Sequence, residues 1–172
     1  TPEDALFCAI FFEKLHVIET PYFSSLQYYD RVIKDIFPIV YCATDREASC
    51  LGLFLRATLE PLKRWRFNKD LYDNEAATKT GFSVAIGSPA RCSYEQYCTV
   101  FSRWYDKITK IALHCLAQYQ DYGRSCLFVL IKLVDVYPVR KRISNQLMGK
   151  LNVIKKQENM KDVQAMAQRY HT

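Results

Sequence analysis

Glycine and proline are scarce in this chain of 172 residues, which contains five and six of them. A fold of many short strands needs both residues at its turns, so their scarcity argues against a turn-dense all-β protein. No apolar run approaches the roughly 20 uncharged residues of a membrane-spanning helix. The longest run, Cys126 to Tyr137, is interrupted by Lys132 and Asp135. No membrane role is therefore expected.

Sequence motifs of common enzymes are also missing. The chain has no G-x-S-x-G nucleophile elbow and no glycine-rich phosphate loop, and Gly87-Ser88-Pro89 is predicted to be a turn. A catalytic Cys–His pair needs only to meet in space, so that alternative stays open, although nothing marks one cysteine as activated. The sequence favours a protein that is not an enzyme and holds no cofactor.

Metal-site patterns are equally absent. Glu13-x-x-His16 has the spacing of a di-iron ligand pair, but such a site needs a second motif of this kind, and none is present. His114 lies in an apolar helical pattern, which favours a hydrogen-bonded core or boundary residue over a ligand. His171 is the third histidine.

The seven cysteines are odd in number, include no C-x-x-C pair and are scattered along the chain: Cys8, Cys42, Cys50, Cys92, Cys98, Cys115 and Cys126. Most occupy apolar helical positions, where cysteine behaves as a small hydrophobe. Structural free thiols in a reducing compartment are therefore predicted, and a metal or redox role is the alternative.

Material for a core is plentiful, because 49% of the residues are apolar and 14% are aromatic. A chain of this length suits one domain that buries roughly 70% of its unfolded surface. We therefore expect a single helical domain over residues 1–172. It begins at Thr1 without an initiator methionine or a secretory signal, so a fragment of a longer protein is expected.

The clearest local signal is a helix opened by Thr44 and Glu47, which have the spacing of a capping box. An apolar stripe at steps of three and four follows: Ala48, Leu51, Leu55, Leu59 and Leu62. Ser93 and Gln96 form a second capping box before another stripe: Tyr97, Phe101, Tyr105, Ile108, Ala112 and Cys115. Thr1 and Pro2 favour a further helix start at the beginning of the chain.

Other segments complete the helical pattern. A helix from about Tyr22 contains Pro38, where a kink or break is expected, and Pro61 raises the same expectation near the end of the Thr44 helix. A short helical turn is predicted over 68–75 and a long loop over about 76–92. Cys126 to Tyr137 should be the most buried helix.

The C-terminal part is predicted to hold one or two more helices. Ile143, Leu147, Leu151 and Ile154 define an apolar stripe, and Asn159 with Asp162 can open a last short helix. The whole pattern predicts an all-α fold of seven or eight helices in stacked antiparallel pairs. Since no exact repeat is visible, a HEAT-like α-solenoid segment would be irregular.

Positive charge is concentrated near the C-terminal end. The chain carries a net charge of +6, and residues 138–162 contribute +5 of it through seven basic and two acidic residues. The basic residues are Arg140, Lys141, Arg142, Lys150, Lys155, Lys156 and Lys161. They form either an ordinary solvated helix face or an anion-binding surface that contacts phosphates without reading sequence.

A second basic cluster interleaves charge with aromatic residues: Lys63, Arg64, Trp65, Arg66 and Phe67. One interpretation is a nucleic-acid surface. The other places Trp65 in the core, because it continues the stripe at Leu62, and leaves the charges outside.

Several blocks, in order along the chain, resemble the THO complex subunit 2 family. They are Tyr29-Asp30-Arg31-Val32, Glu47-Ala48-Ser49, Gly52-Leu53-Phe54-Leu55, Tyr94-Glu95, Trp104 to Lys110, His114-Cys115-Leu116 and the apolar run ending in Tyr137-Pro138. The resemblance is to the helical region that precedes the family's charged tail. Pro61 and residues 76–92 depart from the family pattern.

The resemblance implies a nuclear scaffold in the THO/TREX assembly, which links transcription to messenger-RNA export. It implies other THO subunits, a DEAD-box RNA helicase and messenger ribonucleoprotein as partners, an α-solenoid fold and no catalytic residues. The alternative is a sequence-nonspecific RNA- or DNA-binding module that uses the basic C-terminal helix.

Overall fold

The computed structural model describes residues 1–85, 87–118 and 122–157, except for the side chains of residues 155–157. The described residues form seven α-helices and no β-strand, so the fold is all-α as predicted. The helices are α1 (Pro2–Val17), α2 (Ser25–Arg31), α3 (Asp45–Phe67), α4 (Lys69–Tyr72), α5 (Tyr94–Ala117), α6 (Arg124–Leu133) and α7 (Lys141–Gln157).

Helix α3 lies at the centre and packs against α1 and α6. Its capping box is present, with the Glu47 backbone N–H donating to the Thr44 hydroxyl and the Thr44 N–H donating to the Glu47 carboxylate. The predicted stripe is buried from Ala48 to Leu62, apart from the half-buried Leu51. The helix thus forms where the local pattern places it, and its stripe becomes the core.

Helices α3 and α6 run parallel to each other. Asp45 near the start of α3 pairs with Arg124 at the start of α6 at 2.7 Å, and Arg56 pairs with Asp135 just beyond the end of α6, also at 2.7 Å. Gly52 makes the close approach possible, because a Cβ there would lie 2.8 Å from the Lys132 Cβ. Helix α1 also packs against α3. The C-terminal ends of the two helices lie together, since the His16 and Trp65 rings are 5.5 Å apart.

Helix α5 runs antiparallel to both α3 and α6. The Tyr97 hydroxyl donates to the Leu62 carbonyl at 2.6 Å, and the Tyr94 hydroxyl donates to the Arg66 carbonyl at 2.7 Å. On its other side α5 contacts α7 and the segment after α2. Two layers result, with α1, α3 and α6 in one and α2, α5 and α7 in the other. This order is consistent with a HEAT-like array.

The two prolines that lie inside predicted helices, Pro38 and Pro61, have different effects. At Pro38 the expected break occurs, because α2 gives way to a π-helical segment, Val32–Ile36, and then to a 3₁₀ segment, Phe37–Tyr41. At Pro61 the expected break does not occur, since α3 continues to Phe67. Leu62 and Trp65 after this proline are buried, so core packing on both sides of it holds the helix together.

Residues 76–92 contain more structure than a plain loop. A π-helical segment, Asp73–Ala77, and a 3₁₀ segment, Thr80–Phe82, occupy the first part. The segment then folds back on itself, because the Val84 N–H donates to the Ala90 carbonyl and the Cys92 N–H donates to the Phe82 carbonyl. The segment therefore pairs with itself, which the sequence pattern does not reveal.

The C-terminal helices follow the prediction in outline. Helix α6 ends at Leu133, earlier than the expected end at Pro138, although Val136 and Tyr137 remain buried. The α7 stripe is buried as predicted, at Ile143, Leu147, Leu151 and Ile154. The last helix predicted at Asn159 and Asp162 lies outside the described residues. No described helix is long and apolar enough to cross a membrane.

Candidate partner-binding surfaces

The basic cluster at the end of α3 is largely engaged in internal contacts. Trp65 is only 2% exposed, and its indole N–H donates to the Glu75 carboxylate at 2.8 Å. Arg64 donates to both oxygens of the same carboxylate, at 2.9 and 2.7 Å. Lys63 Nζ donates to the Asp135 carbonyl at 2.6 Å. Trp65 therefore belongs to the core, which is the second of the two interpretations of this cluster.

The exposed aromatic residue of this cluster is Phe67, which lies beside the half-buried Arg66. Phe67 is 62% exposed, and the Arg66 guanidinium lies 5.5 Å from the centre of its ring. The Arg66 carbonyl accepts the hydrogen bond from Tyr94, so the backbone here is fixed. One exposed aromatic residue with one neighbouring cation is a small contact site at most.

The basic face of α7 is more open. Lys141, Arg142 and Lys150 are exposed, and none of them forms an ion pair with another described residue. Arg140 lies 3.4 Å from the Asp106 carboxylate. The side chains of Lys155 and Lys156, and all of Lys161, lie outside the described part. No hydrogen bond or ion pair within that part joins this face to the cluster at the end of α3.

His16 has a structural position. It is 3% exposed, with Nδ1 at 2.8 Å from the Ser25 hydroxyl and Nε2 at 2.9 Å from the Glu75 carbonyl. A carbonyl only accepts, so Nε2 carries the proton and the Ser25 hydroxyl donates to Nδ1. Burial lowers the pKa of this imidazole, against the opposing effect of the Glu75 hydrogen bond. His16 thus ties α1 to Ser25 and Glu75 as a neutral ring.

The remaining potential ligands are dispersed. His114 is exposed and lies 3.1 Å from the Tyr41 hydroxyl through Nδ1, the boundary position that its apolar helix predicts. Cys92, Cys115 and Cys126 are buried free thiols, and burial raises the pKa of the Cys92 thiol. Within the described residues, no three His, Cys, Asp or Glu side chains gather into a group suited to a metal ion.

A cluster of exposed large apolar residues lies on α1 and at the residue directly after it. We call it the α1 apolar face: Leu6, Phe7, Ile10, Phe11, Val17 and Ile18, each between 40% and 68% exposed. Their spacing of three, four and seven residues places them on one side of the helix. The Phe7 and Phe11 rings are stacked, with centroids 6.0 Å apart. Only Ala9 and His16 of α1 are buried.

A sequence signal for this surface did exist. Residues 5–18 are apolar almost all round the helix, a composition typical of a helix covered on more than one side. In the structure α1 packs on α3 and leaves its opposite side uncovered by described residues. Clusters of exposed aromatic and aliphatic side chains are where protein interfaces place their anchors. The α1 apolar face is therefore the strongest candidate for a partner-binding surface.

Comparison with known proteins gives a consistent picture. The chain matches the family described as "Transcription factor/nuclear export subunit protein 2", Tho2, over residues 1–172. It is 35% identical over 178 residues to THO complex subunit 2 of Mus musculus and 34% identical to that of Homo sapiens, with 97% of the chain covered in each case. The THO complex subunit 2 of Arabidopsis thaliana is 30% identical over 169 residues.

The match covers only a small part of these relatives. The chain spans 11% of the length of the mammalian proteins and 9% of the plant protein. No solved structure matches the chain significantly. Because the family match extends from the first residue to the last, the chain belongs to the Tho2 family of transcription and nuclear-export subunits.

Proposed function

We propose that this chain is a non-catalytic helical scaffold module of a THO complex, acting in the nucleus where transcription is coupled to messenger-RNA processing and export. The α1 apolar face carries this proposal. Six large apolar side chains are exposed on one side of this helix and its C-cap. Exposure of apolar surface to water is unfavourable, so a protein partner that covers these side chains gains binding free energy. The relatives are named as subunits of the THO complex, which supports the other THO subunits as the partners.

The scaffold role is supported by the way the polar groups of the core are used. Buried hydroxyls such as those of Tyr72, Tyr97 and Tyr105 donate to backbone carbonyls, so they fix helices to neighbouring helices and connecting segments. Burial raises the pKa of these tyrosines, which keeps the hydroxyls protonated as donors. A core that is held by such bonds suits a rigid docking platform. The proposal extends to a DEAD-box RNA helicase and messenger ribonucleoprotein as further partners.

Affinity purification from nuclear extract tests this proposal. The tagged chain is expected to recover other THO subunits, and the DEAD-box helicase with them, above the level recovered by an unrelated helical domain of similar charge. Recovery of neither THO subunits nor helicase would refute the scaffold proposal.

A second candidate function is sequence-nonspecific binding of RNA or DNA by α7. The specific observation is that Lys141, Arg142 and Lys150 are exposed without ionic partners among the described residues. Phosphate contacts of this kind release counterions, so the affinity should fall steeply as salt rises.

Fluorescence anisotropy with labelled oligouridine at several salt concentrations tests this candidate. The double variant Lys141→Glu with Arg142→Glu is expected to bind about tenfold more weakly at low salt and to show a shallower salt dependence. The matched control is Arg103→Glu with Lys107→Glu on α5, which changes the net charge equally. Equal losses in both variants would remove α7 as a distinct binding face.

A further inference from the structure

A groove of about 640 Å³ runs between the π-helical segment after α2 and the middle of α5. One side is formed by Lys34 and the other by Arg103, Lys107 and Lys110. These three α5 residues follow one another at steps of four and three, so they lie in a row on one helix face.

The basic row is not neutralised from within the described chain. Arg103, Lys107 and Lys110 are exposed, and their side chains form no hydrogen bond or ion pair with any described residue. Like charges three and four residues apart destabilise a helix by about 0.2–0.5 kcal/mol per pair. The row therefore destabilises the folded chain slightly, and no ion pair with a described residue offsets this loss.

The two acids of the groove are already paired with other groups. Asp30 accepts from Lys34 at 2.7 Å and from the Trp104 indole N–H at 3.0 Å. Asp106 lies 3.4 Å from the Arg140 guanidinium. Neither carboxylate forms an ion pair with the basic row, and the lining holds four basic residues against two acidic ones, so the groove presents net positive charge to an incoming ligand.

The bottom of the groove is apolar. Ile33 and Trp104 are 1% and 3% exposed, and Val100 is half-buried between the basic rims. Phosphate groups need only positive charge, and single-stranded bases need exposed aromatic rings on which to stack. Trp104 is the one aromatic residue lining this groove, and its ring is buried with its N–H committed to Asp30. This lining fits carboxylates and apolar anchors together better than it fits a nucleic acid.

We propose that this groove docks an acidic amphipathic peptide segment of a partner protein. The carboxylates of the segment contact Arg103, Lys107 and Lys110, and its apolar side chains lie over the half-buried Val100. Helix-in-groove recognition combines rim charge with apolar anchors in the same way. The proposal does not depend on the α1 apolar face or on the family to which the chain belongs.

Fluorescence anisotropy with designed peptides tests the proposal. The probe is a labelled helical peptide of about 16 residues, with leucine on one face and glutamate elsewhere, and its counterpart has every leucine replaced by serine at the same charge. The unaltered chain is expected to bind the leucine peptide at least about tenfold more tightly than the serine peptide. No binding of the leucine peptide, or equal binding of the two, would overturn the proposal.

Two charge-matched variants locate the site. Arg103→Glu with Lys107→Glu should weaken binding of the leucine peptide by at least about tenfold, whereas Lys141→Glu with Arg142→Glu should leave it within about twofold. Equal losses in both would mean that only net charge matters, which contradicts the proposal. Loss of oligouridine binding instead of peptide binding in the α5 variant would show a phosphate site and would also contradict it. Far-ultraviolet circular dichroism confirms that both variants fold.

Discussion

Helices α1 and α6 are both apolar almost all round, yet α6 is mostly buried and α1 is mostly exposed. In α6, five residues are buried: Cys126, Leu127, Val129, Leu130 and Leu133. In α1, only Ala9 and His16 are buried, and five large apolar residues of the helix are exposed, as is Ile18 directly after it. Helix α6 has neighbours in both layers, whereas α1 packs chiefly on α3. Apolar composition thus indicates how many sides of a helix are to be covered, and α1 has a side that no described residue covers.

Leucine-to-alanine substitutions test this contrast with the largest expected effect. Leu130→Ala in α6 removes a fully buried side chain and should lower the free energy of unfolding by about 2–5 kcal/mol. Leu6→Ala in α1 removes a side chain that is 40% exposed and should cost less than about 1 kcal/mol. Urea denaturation of both variants measures the difference. Similar losses in the two would mean that α1 is packed as tightly as α6.

Glycine-to-alanine substitutions test how closely α6 approaches the centre of the fold. In Gly52→Ala the new Cβ would meet the Lys132 Cβ at 2.8 Å and the Val129 Cα at 3.2 Å, so α3 and α6 must separate. The expected loss is about 1–3 kcal/mol. Gly149→Ala on α7 is the control, because nothing lies within 4 Å there, and it should stabilise the protein by about 0.5–1 kcal/mol. A neutral Gly52→Ala would contradict the close α3–α6 contact.

The attachment of α1 should depend on pH, because His16 is its buried polar contact. Burial lowers the pKa of this imidazole in the folded state, while Lys79 adds to the lowering and Glu13 and Glu19 oppose it. The unfolded chain then binds more protons, so this contribution to stability is complete above about pH 6.5 and falls as the pH drops through the folded-state pKa. The slope reaches at most about 1.4 kcal/mol per pH unit.

Denaturation between pH 7.5 and 5 of the unaltered chain and of two histidine variants measures this dependence. His16→Gln should be less stable at pH 7.5 and should lack the loss that begins near pH 6.5. His114→Gln, at an exposed position, should retain that loss. If His16→Gln keeps the full pH dependence, His16 is not the titrating group.

Most of the fold was predictable because its signals are local. The capping boxes at Thr44 and Ser93 form as predicted, and the stripes that follow them enter the core. The continuation of α3 through Pro61 was not predictable, since the packing of Leu62 and Trp65 decides it. Likewise, the pairing of Val84 with Ala90 depends on a turn that no period in the sequence reveals.

The binding surfaces were less predictable than the fold. Sequence located the basic residues of α7 but did not show that Lys141, Arg142 and Lys150 form no ion pair with another described residue. It also could not show that Glu75 pairs with Arg64. The sequence shows the helical spacing of Arg103, Lys107 and Lys110. It does not show the apolar bottom of the groove beside them, which arises from the packing of α5 against the segment after α2. Whether a surface residue is available depends on contacts between elements distant in sequence.

Aspartate substitutions on α1 test the central claim most directly. Phe7 and Phe11 are 67% and 47% exposed, so Phe7→Asp with Phe11→Asp should leave the fold intact. If these two rings are anchors of the partner interface, the substitutions should reduce recovery of THO subunits from nuclear extract by at least about tenfold. Phe67→Asp, at an exposed aromatic residue on α3, should recover them as the unaltered chain does. Undiminished recovery by the folded α1 double variant would contradict the account.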